Sequence, residues 1–254
     1  MKPIHLVVIS LAMGTSAAIA APTASGGAYD FDVHVSVAAV SVLDVTRPEE
    51  VGFTDLSTAY SESKEIIDFN VATALASLSA DSTSVETQWI PGESFLAVGS
   101  RATVTNVALG VVNVLSSSLL GVQANQIQST SIITGTCPAA AIPAPSVVSL
   151  VDGYIFRNGF EAQNLFPSGD SNLPGLAISI QGSAVTGLDT LPPANTVVDI
   201  GSLGTLVLNE QTITGDGIAG LSLASNALDL QLDIAGIITA SVIIAHSEVS
   251  VSCN

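Results

Sequence analysis

The sequence predicts an all-β protein, an antiparallel sandwich built from two related halves. Three observations carry that prediction. The chain is 48% hydrophobic yet only 11% charged, so the Glu, Lys and Arg that coat the outer faces of long helices are scarce. The chain is rich in Val, Ile, Ala, Ser, Thr and Gly instead, and the β-branched residues among them fit a pleated, half-buried surface. Short stretches alternate apolar and polar residues with period two and are separated by Gly, Pro and Asn.

The first segment is read as a signal peptide rather than a strand. Lys2 is followed by an apolar run of about eleven residues, Pro3 to Met13, and then by small residues ending in Ala18-Ile19-Ala20. The run is too short to span a bilayer, which takes roughly 20 residues. Cleavage is expected between Ala20 and Ala21, and the mature chain is expected to carry no transmembrane segment. No cysteine follows the apolar run to take a lipid anchor.

The mature N-terminal half is assigned to residues 21–137. Within it, Tyr29 to Val45 reads as a strand, with Phe31, Val33, Val35 and Val37 on one face and Asp30, Asp32, His34 and Ser36 on the other. Thr46 to Glu50 reads as a charged turn. Ser61 to Ser84 is open to two readings. Ile67, Phe69, Val71, Thr73 and Leu75 can line one face of a strand, or Ser63-Lys64-Glu65 can open a short helix. Trp89 to Gly92 reads as a turn. Phe95 to Asn113 reads as a strand interrupted at Gly99 or Gly110, and Val122 to Thr136 as another strand.

Residues 138–174 are read as a linker or loop insertion, opened by Pro138 to Pro145. The C-terminal half takes residues 175–254. Strands are expected at Leu176 to Val185, from Val197, and at Gly204 to Gln211. Leu191 to Thr196 and Gly215-Asp216-Gly217 read as turns. A long antiparallel pair is expected from Ile218–Leu232 and Ile237–Val251 around Ala235-Gly236. The segment Gly121 to Cys137 rhymes with Gly236 to Cys253, and Val104–Leu109 rhymes with Ala224–Asp229, which indicates an internal duplication.

Charge excludes some partners. The mature chain keeps all 22 acidic residues against four basic ones, Arg47, Lys64, Arg101 and Arg157. Too few cations are present to neutralise a phosphate backbone, so nucleic acid is excluded, as are anionic membrane surfaces. The two cysteines, Cys137 and Cys253, are expected to pair in an oxidising compartment. The alternative is two buried free thiols.

Candidate chemistry is sparse. No G-x-S-x-G elbow, Walker, dinucleotide, zinc or haem pattern is present, so no enzyme, cofactor or resident metal is expected. His34 and His246 read as structural. Asp30 and Asp32 share a strand face and are candidates for calcium, as are Asp44 with Glu49-Glu50, although no calcium-loop motif surrounds them. Asn209, Glu210 and Gln211 form a polar cluster at a strand end, read as a corner that satisfies loop amides.

Several segments carry a family resemblance. They are Ala24-Ser25-Gly26-Gly27-Ala28-Tyr29, Pro193-Ala194-Asn195-Thr196, Gly204-Thr205-Leu206-Val207-Leu208-Asn209-Glu210-Gln211, and Asn226-Ala227-Leu228. A final strand with Ala245-His246-Ser247, ending in Cys253, completes the set. Together they resemble the bacterial exported family called choice-of-anchor P, over most of the mature chain. The resemblance implies a surface-associated β-protein without an agreed activity. Members of the family differ in their tethers, and this sequence ends at Cys253-Asn254 without a sorting motif or apolar tail. Ile155-Phe156-Arg157-Asn158-Gly159-Phe160-Glu161 is similar to a short segment found near the C-terminus of some exported gram-negative proteins. The expected function is a secreted or cell-surface protein with a structural or adhesive role. Its partners would be a cell-envelope or matrix component, a glycan or another surface protein. The alternatives are a secreted module binding glycan or calcium and, more distantly, an exported hydrolase.

Overall fold

A computed structural model describes residues 21–92, 95–112, 118–137, 148–151, 154–157 and 165–253. The expected signal peptide at 1–20, the proline-rich stretch at 138–145 and Asn158–Glu161 lie outside the described residues.

The described chain is almost entirely strand. The N-terminal half supplies β1 (Thr23–Val37), β2 (Val40–Thr46), β3 (Glu50–Leu56), β4 (Tyr60–Ala72), β5 (Ala76–Ile90), β6 (Leu96–Val112) and β7 (Ser118–Gly135). Then come the short β8 (Val148–Val151) and β9 (Tyr154–Arg157), which pair only with each other. The rest supplies β10 (Leu165–Asn172), β11 (Ala177–Ile180), β12 (Ser183–Ala184), β13 (Thr196–Val198), β14 (Gly204–Gly215), β15 (Gly220–Ile234) and β16 (Ile238–Ser252). No helix among the described residues is long and apolar enough to cross a membrane.

Two antiparallel sheets pack face to face. One runs β13-β14-β15-β16-β1, and β2 and β3 share the far edge of β1. The other runs β4-β5-β6-β7, and β10 and β11 share the far edge of β7, with β12 beyond β11. Each sheet joins strands from both ends of the chain: β1 pairs with β16, and β10 and β11 pair with β7.

Several elements differ from expectation. The Tyr29–Val45 strand is a hairpin that turns at Ala38-Ala39, both with positive φ (51° and 61°). Such a turn normally announces itself with Asn-Gly, and here two alanines conceal it. Trp89 and Ile90 end β5 rather than forming a turn, and the Trp89 side chain is fully buried. The ambiguous segment at 61–84 is strand throughout, apart from the turn between β4 and β5. β6 runs unbroken through Gly99 and Gly110. Leu176–Val185 is a two-strand hairpin around Gln181-Gly182, and β10 belongs to the sandwich although it falls in the expected linker.

A transverse kink crosses both sheets. Asn209, Ala227, Ala245 and Asp30 drop out of pairing in the first sheet while register resumes unchanged on either side. Asp68, Asp81, Asn106 and Asn125 lie on the corresponding line of the second. Asp68, Asn106, Asn209 and Ala245 have positive φ of 49–58°. A left-handed residue turns the pleat over, so the inward-facing set changes phase there. β16 buries residues 238, 240, 242 and 244 before the kink and 245, 247, 249 and 251 after it.

The kink accompanies a divided core. The larger apolar cluster includes Phe31, Val33, Leu78, Leu109, Val122, Leu206, Leu230 and Val242. A smaller one holds Trp89, Leu96, Val98, Ile133, Leu165, Leu223 and Val251, with Cys137 and Cys253 packed against it. Between them every central strand contributes a small residue: Gly26, Thr87, Ser100, Ser129, Ser131, Ser225 and Ser247. Ser247 Oγ lies 2.8 Å from both Ser129 Oγ and Ser131 Oγ, which joins the two sheets. Thr87 Oγ1 and Ser100 Oγ are 2.9 Å apart, and a methyl group at Gly26 would lie 2.7 Å from that Thr87 oxygen. Most of these buried hydroxyls bond to one another or to carbonyls, as Ser129 does to Ser225 O at 3.0 Å, while Ser225 Oγ has no partner among the described residues.

Candidate functional site

The densest polar constellation is on the outer face of the first sheet, just beside the kink. Register places Glu210, Asn226, His246, Tyr29 and Glu50 in one row across β14, β15, β16, β1 and β3. The row is bonded along its length. Asn226 Nδ2 donates to Glu210 Oε2 at 2.7 Å, and Asn226 Oδ1 lies 2.6 Å from His246 Nδ1. The His246 and Tyr29 rings stack with centroids 4.4 Å apart and 16° between planes. The Arg47 guanidinium covers the other side of Tyr29, 4.3 Å from the ring centroid. A cation over an aromatic face is attracted by its quadrupole.

Carboxylates ring this stack. Arg47 reaches Glu50 at 3.1 Å and Asp32 at 3.6 Å. His246 Nε2 is 3.7 Å from Glu248 Oε2 and holds that carboxyl below its usual range, against the opposing effect of burial. Burial raises the Asp229 carboxyl, and the neighbouring Glu210 charge adds to the rise. Burial also pushes the Tyr29 phenol up to about 12, although Arg47 pulls the other way. Tyr29 therefore stays neutral across the physiological range and serves as a hydrogen-bonding and stacking group.

The face continues toward the disulfide as a hydroxyl-rich groove. A depression of about 590 Å³ is lined by Thr23, Ser25, Thr214, Ser222 and Ser250, with Asp55 and Asp216 and the apolar Ala24, Ala219, Leu221 and Val251 also in its wall. A neighbouring depression of about 300 Å³ shares Ser25, Thr214, Ser222 and Ser250 and adds Phe53 and Glu248. Glu248 thus belongs both to the groove and to the charged row. Hydroxyls and carboxylates in this arrangement suit a neutral, hydroxyl-bearing or cationic ligand and repel an anionic one.

The residues expected from sequence are distributed differently. Asp30 and Asp32 do not share a face. Asp30 is the kink residue and is fully buried; Asp32 is on the outer face, where His34 Nε2 approaches it at 2.7 Å alongside Arg47. His34 bridges outward from Asp32 to Asp44, 2.9 Å from its Nδ1. No group of three or more His, Cys, Asp or Glu is placed to hold a metal ion among the described residues.

The Asn209-Glu210-Gln211 cluster divides as well. Asn209, with φ of 51°, is buried. Its Nδ2 donates to Pro192 O at 2.9 Å, and its Oδ1 accepts from Ser171 Oγ at 2.9 Å and Gln211 Nε2 at 2.8 Å. The Gln211 backbone N–H donates to Asn195 Oδ1 at 2.7 Å. These two residues fasten the 192–195 loop and β10 of the opposite sheet, while Glu210 points outward into the charged row. Nothing in the sequence marks Tyr29, Arg47, Asn226 and Glu248 as members of one site. Only strand register brings them together, and register is not written in any local motif.

Cys137 and Cys253 are bonded, with Cα atoms 5.4 Å apart, and tie the ends of β7 and β16 across the two sheets. Compared with known proteins, the chain matches no family model, no curated protein and no solved structure.

Proposed function

We propose that this chain is an exported, non-enzymatic β-sandwich of the cell exterior with a structural or adhesive role, as its resemblance to the choice-of-anchor P proteins implies. The observation that carries the reading is the Cys137–Cys253 disulfide between the sheets. Such bonds persist where the surroundings are oxidising. The buried polar groups support it too, because the serine layer and Asn209 are committed to holding sheets and loops together. The test is expression of the full chain in a bacterial host, with and without residues 1–20. The expected product is found outside the cytoplasm, begins at Ala21 by intact mass, and yields no alkylated thiol without reductant. A cytoplasmic product retaining residues 1–20 and two free thiols would sink the proposal.

A second reading, a glycan-binding module, is favoured by the hydroxyl-lined groove on the first sheet. A glycan array with purified oxidised protein tests it. Binding that is lost on Ser222→Leu would support it, and an array without signal would remove it.

A further inference from the structure

Beside the kink, β1 has no continuous neighbour on one edge. β2 pairs with it at Asp32–Val37 and β3 at Ala24–Tyr29, so the turn Arg47-Pro48-Glu49 crosses the gap opposite Asp30 and Phe31. Three backbone-directed bonds seat that turn. Arg47 N donates to Phe31 O at 2.8 Å, Asp30 N to Glu49 O at 3.4 Å, and Glu49 N to Asp30 Oδ1 at 3.2 Å. Phe31 N also donates to Asp30 Oδ1, at 2.8 Å. One oxygen of Asp30 is therefore satisfied twice.

The other oxygen is not. Asp30 Oδ2, Glu49 Oε2 and Thr83 Oγ1 are buried without a hydrogen-bond partner among the described residues. Asp30 is 0% exposed and Glu49 7%. Thr83 stands close enough to favour the charged form of Asp30 without completing a hydrogen bond to it. The cations nearby are engaged elsewhere: Arg47 with Tyr29, Asp32 and Glu50, and Lys64 with Glu62 and the Glu50 carbonyl. From β4, Lys64 favours ionised Glu49 and Glu65 opposes it. Two adjacent carboxylates cannot both remain charged cheaply out of water.

We propose that Asp30 and Glu49 form a pH-sensitive latch, holding one proton between them while the Arg47–Glu49 turn is closed over β1 and loosening the turn when that proton leaves. The proton removes one of the two buried charges beside the Glu49 N to Asp30 Oδ1 bond, which a water molecule would not do. Burial raises both carboxyls, and for Glu49 the Asp30 charge adds to the rise. The sign follows directly. A carboxyl whose folded value lies above its unfolded value binds protons more tightly when folded. Its contribution is complete below the unfolded value and is lost as pH rises through the folded one. The turn also carries Arg47, so opening it uncovers Tyr29.

Thermal melting of the oxidised chain between pH 5 and 9 tests the latch, comparing wild type with Glu49→Gln and Asp30→Asn. Wild type should lose melting temperature as pH rises across this range. Glu49→Gln, which keeps the shape and removes the charge, should flatten that dependence and melt about 2–4 °C above wild type at pH 9. Amide exchange at Glu49 should quicken with pH beyond the intrinsic chemical rate in wild type only. Parallel wild-type and Glu49→Gln profiles would overturn the proposal. So would a rise in wild-type melting temperature with millimolar calcium at pH 8 that Glu49→Gln abolishes, because the pair would then hold a cation. Should Asp30→Asn fail to fold, Glu49→Gln alone decides.

Discussion

Asn209 shows how much one side chain settles here. Its backbone sits in the left-handed region, and its amide serves Pro192, Ser171 and Gln211 together. Asn is among the few residues that tolerate that φ while also bonding locally. Asn209→Ala strands the Pro192 carbonyl and the Ser171 hydroxyl and adds backbone strain. The expected loss is on the order of 3–5 kcal/mol in chemical denaturation. Asn209→Gly loses the same bonds without the strain and should fall about 1 kcal/mol less. Equal losses in the two variants would show that the hydrogen bonds alone account for the effect. The sequence places Asn209 in a polar cluster at a strand end, and its side chain bonds Pro192, Ser171 and Gln211. What no local pattern revealed is that Glu210, one residue on, faces the opposite way and joins His246 through Asn226.

At the scale of elements, the hairpin joining β1 to β2 is the clearest opportunity for improvement. Ala38 and Ala39 are exposed, adopt positive φ and make no packing contribution that substitution would forfeit. Replacing them together by Asn-Gly matches the turn type and should raise stability by about 1 kcal/mol, read as a higher denaturation midpoint with an unchanged slope. An unchanged or lower midpoint would mean that the turn geometry differs from type I′. The same hairpin explains which parts of the fold were legible. Phe31, Val33 and Val35 alternate cleanly, and all three are buried. The β15–β16 pair was found because Ala235-Gly236 separates two long apolar runs. Trp89–Gly92 misled because Pro91-Gly92 is a strong turn signal, yet Trp89 still belongs to the strand before it. The kink was invisible: a phase change in the alternation looks, locally, like two shorter strands. Ser100, Ser129 and Ser247 likewise interrupt the apolar pattern at inward positions, although Ser129 faces Ser247 and Ser100 faces Thr87 in the interior.

Among the described residues the molecule is a sandwich with two apolar clusters and one covalent staple, and the staple sits at the end with the smaller cluster. Cys137 and Cys253 are 116 residues apart and pack against the smaller cluster around Trp89, Leu96 and Leu223. Closing so long a loop removes about 4–5 kcal/mol of freedom from the unfolded chain in the entropy model. Reduction, or Cys137→Ser with Cys253→Ser, should therefore lower the unfolding free energy by that order. The loss should not be evenly spread. The layer of Ser129, Ser131, Ser225 and Ser247 separates the small cluster from the larger one, so fewer apolar contacts link the stapled end to the rest. Hydrogen exchange on the reduced protein should quicken first at Ile133–Gly135 of β7 and Val249–Ser252 of β16. The β1–β2 hairpin, at the far end and packed on the larger cluster, should keep its protection until global unfolding. If exchange instead quickens uniformly in both regions, the serine layer couples the clusters into one cooperative unit. The disulfide would then stabilise the sandwich as a whole rather than fastening one end of it.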